Sequence, residues 1–269
     1  MNHRIVEANY VLVLMYHEIR VGRNPWEQRY FVAPARFSDH VRALRTAGYH
    51  LCSLTDFCVW ATGRGELPAN SVLLTFDDGY SGVFEHAYPI LHNAGIPFAV
   101  FVVSSAIGAT DAWMRSINGD HPAYPLMSRG QVAEVANAGV GIGSHSRHHA
   151  DLPTLDAEAL RDEVYGSRAE LEDLLGQKVD SFAYPYGRLN DSVRATVGDA
   201  GYACGFSTRS GFNRPGSDPL LIRRIDVYGT DTARSLLRKM RFGTNDGSLQ
   251  STVRYYARRA LSRRKLAEM

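Results

Sequence analysis

Apolar and polar positions in this chain fall into blocks that switch between two periods. The runs from Tyr10 to Tyr16, Ser71 to Phe76, Pro97 to Val103 and Val140 to Ser144 are almost continuously apolar, as strands buried on both faces require. Between them, Phe37, Val41 and Leu44 recur at helical spacing. Pro34 suits the first turn of that helix and Gly48 its C-terminal cap, so residues 34–47 read as an amphipathic helix. Helices are likewise expected over 55–62, over 83–94 before Gly95, and over 128–138, where Ser128 and Gln131 form a capping box. Two more fall at 156–175, with Leu160, Val164, Leu171 and Leu175 near one stripe, and at 191–200. Shorter strands are expected at 49–54, 181–183, 202–206 and 220–227. Residues 104–127, rich in Gly, Pro, Asp and Asn and carrying an exposed-looking Trp113, read as a long loop over one face.

Seven to eight strands alternating with helices, with polar residues collecting at strand C-terminal ends, predict a distorted (β/α) barrel of about seven parallel strands. Two adjacent carboxylates, Asp77 and Asp78, end the run from Ser71. Neighbouring acids repel unless a cation or a donor separates their roles, so one ligating a metal and the other acting as a base is a natural division. Taken alone, the segment also reads as an Asp-Asp-Gly turn. His145 and His149 follow the run ending at Ser144. Four residues apart, on one helical turn or in a tight loop, two imidazoles can converge, and with one carboxylate they make a site that leaves a coordination position open for water. A third polar stretch, Ala183-Tyr184-Pro185-Tyr186-Gly187, closes the strand at 181–183.

These three stretches together resemble the polysaccharide deacetylase family, the carbohydrate esterases with a NodB homology domain, over roughly residues 10 to 228. The resemblance is nearest to the poly-N-acetylglucosamine deacetylase branch. It implies that Asp77 is the general base, that Asp78, His145 and His149 hold a divalent ion (zinc first, cobalt or nickel as alternatives), and that His148 is a non-ligand neighbour. It also implies that the backbone N–H of Tyr186 helps hold an oxyanion. Ala183 stands where the family has an arginine that orients the base. Arg224, which shares a face of the last strand with Asp226, is the candidate to replace it, with Asp226 orienting the guanidinium; a surface ion pair is the other reading. Family members commonly supply the general acid from a histidine near the C-terminal end, and this chain has none after His149. His17, ending the first strand in Leu14-Met15-Tyr16-His17, is expected to take that role, as in the branch where a shifted order moves this motif to the front. An imidazole's ordinary pKa of about 6.5 suits proton donation near neutrality. His3, His40, His50, His86, His92 and His121 lie in segments read as surface or loop.

The function so implied is metal-dependent removal of N-acetyl groups from an N-acetylated amino sugar in a polysaccharide, oligosaccharide or lipid-linked saccharide. Hydrolysis of another C–N amide, such as a formamide on a lipid-linked sugar or a cyclic amide, stays open, as does a carbohydrate-binding relic. No Gly-x-Ser-x-Gly elbow supports serine chemistry, and no glycine-rich phosphate loop occurs.

Composition adds an asymmetry. The 269 residues are 45% apolar and 22% charged with a net charge of +2, ordinary for one α/β domain. Yet ten of the basic side chains fall within residues 231–269 against three acidic ones, so the rest of the chain is net negative. Two regions are expected, a catalytic domain over 1–230 and a basic, helical tail over 231–269. Val253, Tyr256, Ala260 and Leu261 can share one face of a helix between residues 250 and 265, which could rest on an anionic membrane leaflet or pack on the barrel with a solvated basic side. No reader motif accompanies the charge, so nucleic acid is not expected as a partner. Cys52, Cys58 and Cys204 lack metal-type spacing. Without a long apolar stretch or a cleavage site near Met1, cytoplasmic residence is the expectation.

Overall fold

The computed structural model describes residues 10–248 and residue 250. Eight parallel strands form one curled sheet: β1 (Leu12–Tyr16), β2 (His50–Leu51), β3 (Ser71–Phe76), β4 (Ala99–Val102), β5 (Gly141–Ser144), β6 (Ser181–Ala183), β7 (Cys204–Phe206) and β8 (Ile225–Asp226). Seven run in the order β7-β6-β5-β4-β3-β1-β8, and β2 pairs with the start of β3. The two edges approach through Ile222, which pairs with Phe206 in parallel, and Ser207 donates backbone N–H to its carbonyl at 2.8 Å. Expected strand 220–227 is therefore shorter than its apolar run. Pro219, which has no N–H to give a ladder, instead opens a 3₁₀ turn at Pro219–Leu221.

Alternation along the strands separates two cores. Leu12, Leu14, Val72, Leu74 and Val100 face the outer helices, whereas Val13, Leu73, Phe101 and Phe206 fill the inside of the curl, plugged at one end by Phe57 and Trp60 of α2 (Leu54–Ala61). A Cβ at Gly143 would stand 2.4 Å from the Phe101 ring, so β5 reaches this packing only with glycine there. The same alternation carries Met15 on to His17 and Leu73 through Thr75 to Asp77, which puts both polar termini over the inner core.

The helices are α1 (Pro34–Thr46), α2, α3 (Tyr88–Asn93), α4 (Arg129–Asn137), α5 (Ala157–Arg161), α6 (Ser167–Leu175), α7 (Asp191–Asp199) and α8 (Ala233–Phe242). The capping box at Ser128 and Gln131 is present. The helix expected over 156–175 is interrupted by a π-helical turn at Asp162–Gly166, and that expected over 83–94 begins with another at Val83–Ala87. The segment after residue 230 opens with α8, which packs on α1 and buries Leu236 and Met240. The basic face expected between 250 and 265 lies outside the described residues apart from Gln250. Among the described residues no helix is long and apolar enough to cross a membrane.

Candidate active site

Strand β3 delivers Asp77 and Asp78 to the C-terminal end of the sheet, where Asp78 and Gly79 both take left-handed backbone angles (φ 72° and 79°). Successive left-handed residues reverse the chain at once, which turns the two carboxylates to different neighbours. Such conformations are costly for a residue with a Cβ and gather at functional sites. Of the five other non-glycine residues that share this feature among the described residues, Ser146, His149 and Tyr186 lie in the two other polar stretches, and Asn70 and Ala123 lie outside them.

Asp77 is buried and meets Arg224 in a two-pronged ion pair, Nη1 to Oδ1 at 2.6 Å and Nη2 to Oδ2 at 2.8 Å. Burial alone would raise the Asp77 pKa, but the Arg224 guanidinium outweighs it and holds the carboxyl below its usual range. Arg224 is itself fully buried beside the Phe101 ring, and its Nε donates to the Ser207 carbonyl at 3.0 Å. Asp226 makes no contact with the guanidinium. This corrects the expectation that Asp226 orients Arg224: the guanidinium instead donates to Asp77, to the Ser207 carbonyl and, from Nη1, to Thr75 Oγ1 at 3.4 Å.

Asp78 Oδ1 is buried and accepts no hydrogen bond among the described residues, yet it lies 3.4 Å from His145 Nε2 and 3.3 Å from His149 Nε2. His145 Nδ1 sits 2.8 Å from the Ala183 carbonyl, an acceptor only, so the proton is on Nδ1 and the Nε2 lone pair faces Asp78. Burial lowers the His145 pKa to about 4 against the pull of Asp77, which keeps the ring neutral. The Asp78 pKa is driven well down despite burial, by His149, His17 and His145. The three ligand atoms lie within 4.8 Å of one another. Donors at about 2.0–2.1 Å from a tetrahedral ion are separated by about 3.3–3.4 Å, the spacing seen between the orphaned oxygen and each of the two imidazole Nε2 atoms.

The loop carrying the histidines is held from outside the motif. Ser146 Oγ accepts from His149 N, and Glu163 in the π-helical turn accepts from Arg147 N at 3.0 Å, His148 N at 2.9 Å and lies 2.6 Å from His148 Nδ1. His148 thus faces Glu163, away from the ligand set. Trp113, expected as exposed, is half-buried and stacks on His149 with ring centroids 4.7 Å apart and 17° between planes. Glu163 and Trp113 carried no sequence signal beyond membership of a helix and a loop. Two histidines expected at the surface are also buried: His40 bonds the Asp231 carbonyl at 2.7 Å, and His121 lies 2.6 Å from Asp111.

A cavity of about 270 Å³ joins these groups and is lined by His17, Asp77, Asp78, His145, His149, Tyr186 and Asp226, with Tyr30 and Tyr228 on its walls. His17 is edge-on to Tyr30 at 5.3 Å, and its Nδ1 is buried without a hydrogen-bond partner among the described residues. The Tyr186 ring packs edge-on against His149 at 4.6 Å. Burial, then Asp78, pushes its phenol up to about 12, so it remains protonated.

The family model for polysaccharide deacetylase matches residues 64–205, just over half of the chain. This chain belongs to the polysaccharide deacetylase family. Within the family it is 25% identical over 249 residues to the poly-β-1,6-N-acetyl-D-glucosamine N-deacetylase of Staphylococcus aureus (strain MSSA476), covering 88% of this chain and 80% of that one. A Bacillus subtilis (strain 168) protein named for the same family, YxkH, is 27% identical over 199 residues, 74% of this chain and 64% of its own length. The chain therefore spans less than two thirds of that relative. Among solved structures, Streptococcus pyogenes deacetylase PplD in complex with acetate superposes with a TM-score of 0.72 at 26% identity, covering 86% of this chain and 98% of that one. The fold is accordingly the NodB-type distorted barrel, and the relatives are carbohydrate deacetylases acting as hydrolases.

Proposed function

We propose that this chain hydrolyses the N-acetyl amide of a glucosamine-containing saccharide, with zinc held by Asp78, His145 and His149. One observation carries the reading. A His₂Asp donor set with an orphaned carboxylate oxygen shares one small cavity with a second carboxylate that a buried guanidinium keeps ionised. A hydrolysis needs no change of oxidation state, which favours zinc over the redox-active ions that the same donors accept. When bound, zinc supplies Lewis acidity to the amide carbonyl and to water.

The chain's own residues divide the remaining work. Asp77, anionic and gripped by Arg224, accepts the proton of the attacking water; Arg224 is a positioning residue that fixes both carboxylate oxygens. The Tyr186 backbone N–H donates to the developing oxyanion. His17, across the cavity, returns a proton to the departing amine. Asp226 lines the same cavity, and the charge of His17 works against the burial that raises its carboxyl pKa. The small cavity and its tyrosine walls suit one sugar ring at the reacting position. The relative named for poly-β-1,6-N-acetylglucosamine supports that substrate class.

Acetate release from a β-1,6-linked N-acetylglucosamine oligomer tests the reading. Metal-free protein should be inactive and regain activity with stoichiometric zinc. Activity that persists without metal, or release of formate instead from an N-formyl sugar, would replace it. That the basic stretch at 250–265 seats the enzyme on an anionic membrane surface is proposed on sequence alone. Equal co-sedimentation with anionic vesicles by the full chain and by one ending at residue 248 would remove it.

A further inference from the structure

The loop that follows α8 reaches back into the cavity wall. Asp226 N–H donates to Asn245 Oδ1 at 2.9 Å, and Asn245 Nδ2 donates to Asp226 Oδ2 at 2.9 Å. A main-chain N–H can only donate, so it fixes the amide's orientation, with the NH₂ towards the carboxylate. Tyr228 OH also donates to Oδ2, at 3.0 Å, and Lys239 Nζ in α8 donates to the Asp226 carbonyl at 3.0 Å while lying 4.0 Å from the centre of the Tyr228 ring. Gly243, left-handed at φ 61°, turns the chain out of α8 so that Asn245 meets β8. Every polar group of Asp226 is thereby engaged except Oδ1, which is buried without a hydrogen-bond partner among the described residues, in a carboxylate that lines the cavity with His17.

We infer that Asn245 is a positioning residue for the deacetylation: its amide locks the main chain and one carboxylate oxygen of Asp226, which reserves the other oxygen for the proton-donating side of the cavity. The inference rests on the reading of His17 as the acid. Two donors saturate Oδ2, so the carboxylate cannot exchange its oxygens by rotation without breaking both bonds. A residue lying in what the charge pattern marks as a basic tail is then part of the reaction's geometry. Alanine at 245 leaves the Asp226 N–H without its acceptor and the carboxylate held by Tyr228 alone. Aspartate at 245 is isosteric and still accepts from the N–H, but it sets a carboxylate against a carboxylate.

The zinc-loaded full chain, assayed by acetate release from a β-1,6-linked N-acetylglucosamine oligomer, tests this with Asn245→Ala, Asn245→Asp, Asp226→Asn and the double variant Asp226→Asn/Asn245→Ala. Asn245→Ala should lower kcat by about tenfold, the loss of one hydrogen bond to a charged group, with KM and bound zinc unchanged. Asn245→Asp should fall further. In the Asp226→Asn background, Asn245→Ala should lower kcat much less than in the natural chain, because the carboxylate through which Asn245 acts on the reaction is already gone. Additive losses, an unchanged kcat in Asn245→Ala, or a loss that follows only thermal stability or zinc content would overturn the proposal. Asn245→Asp keeps the fold testable if the alanine variant does not fold. His17→Ala separates the two readings. Near-normal turnover there would remove His17 as the acid, while the coupling between positions 226 and 245 would still decide the positioning role.

Discussion

The end of β3 and the segment just after β1 both bury carboxylates at the same end of the sheet, and they deal with the charge in different ways. At the end of β3, Asp77 is closed off by a guanidinium, and Asp78 turns an unpartnered oxygen towards two imidazole nitrogens. After β1, Glu18 is as deeply buried, with Arg20 no nearer than 3.8 Å and neither oxygen in a hydrogen bond of normal geometry among the described residues. Burial pushes its carboxyl up to about 8, only partly countered by Arg20. Burial disfavours the charged form at all three, so the partner alone decides the outcome. With a fixed cation the acid is a permanent base, with lone pairs it is a ligand, and with neither it carries a proton.

Four measurements would break or sharpen that contrast. Asp78→Ala should have the largest effect, removing stoichiometric zinc and lowering kcat/KM by at least about 10³-fold, near 4 kcal/mol of transition-state stabilisation. Full metal occupancy in that variant would show that Asp78 is not a ligand. Arg224→Ala strands Asp77 in the interior and should cost about 3–5 kcal/mol in urea unfolding, equally in zinc-loaded and zinc-free protein. A loss confined to the zinc-loaded form would mean that Asp77 belongs to the ligand set after all. Glu163→Ala frees the loop bearing His145 and His149 and should weaken zinc binding by about 10–100-fold in a competition titration, with Asp77 and Arg224 untouched. Unaltered affinity would show that the serines alone shape the loop.

The smallest effect should come from Glu18→Gln, and its sign depends on pH. The unfolded carboxyl titrates near 4.5 and the folded one near 8, so the stability tied to its proton is complete below 4.5 and is lost as pH rises towards 8. Glutamine, which never ionises, should therefore raise the melting temperature by a few degrees at pH 8 and leave it unchanged at pH 4. An equal shift at both values would place the cause in packing instead of charge.

The pattern of residues determined the parallel order of strands and helices because its signals are local. Apolar runs, a capping box at Ser128, and the parity that places His17 and Asp77 on the inner face all act within a few residues. His145 and His149 were legible as a converging pair because residue type and short spacing together limit what they can do, while the choice of Asp78 as their carboxylate followed from the family resemblance. Tertiary structure alone decided which groups meet across the sheet. Arg224 was legible as a partner for Asp77, 147 positions away, but the main-chain oxygen of Ser207 that holds it, where Asp226 was expected, was not. Glu163 shapes the histidine loop from a π-helical turn, Trp113 stacks on His149, and Asn245 closes on Asp226 from beyond the last strand. Each of these contacts depends on the curl of the sheet and the path of a long connection. No spacing in the sequence encodes them, since a hydrogen bond is fixed by where two chains arrive and not by how far apart they lie in order.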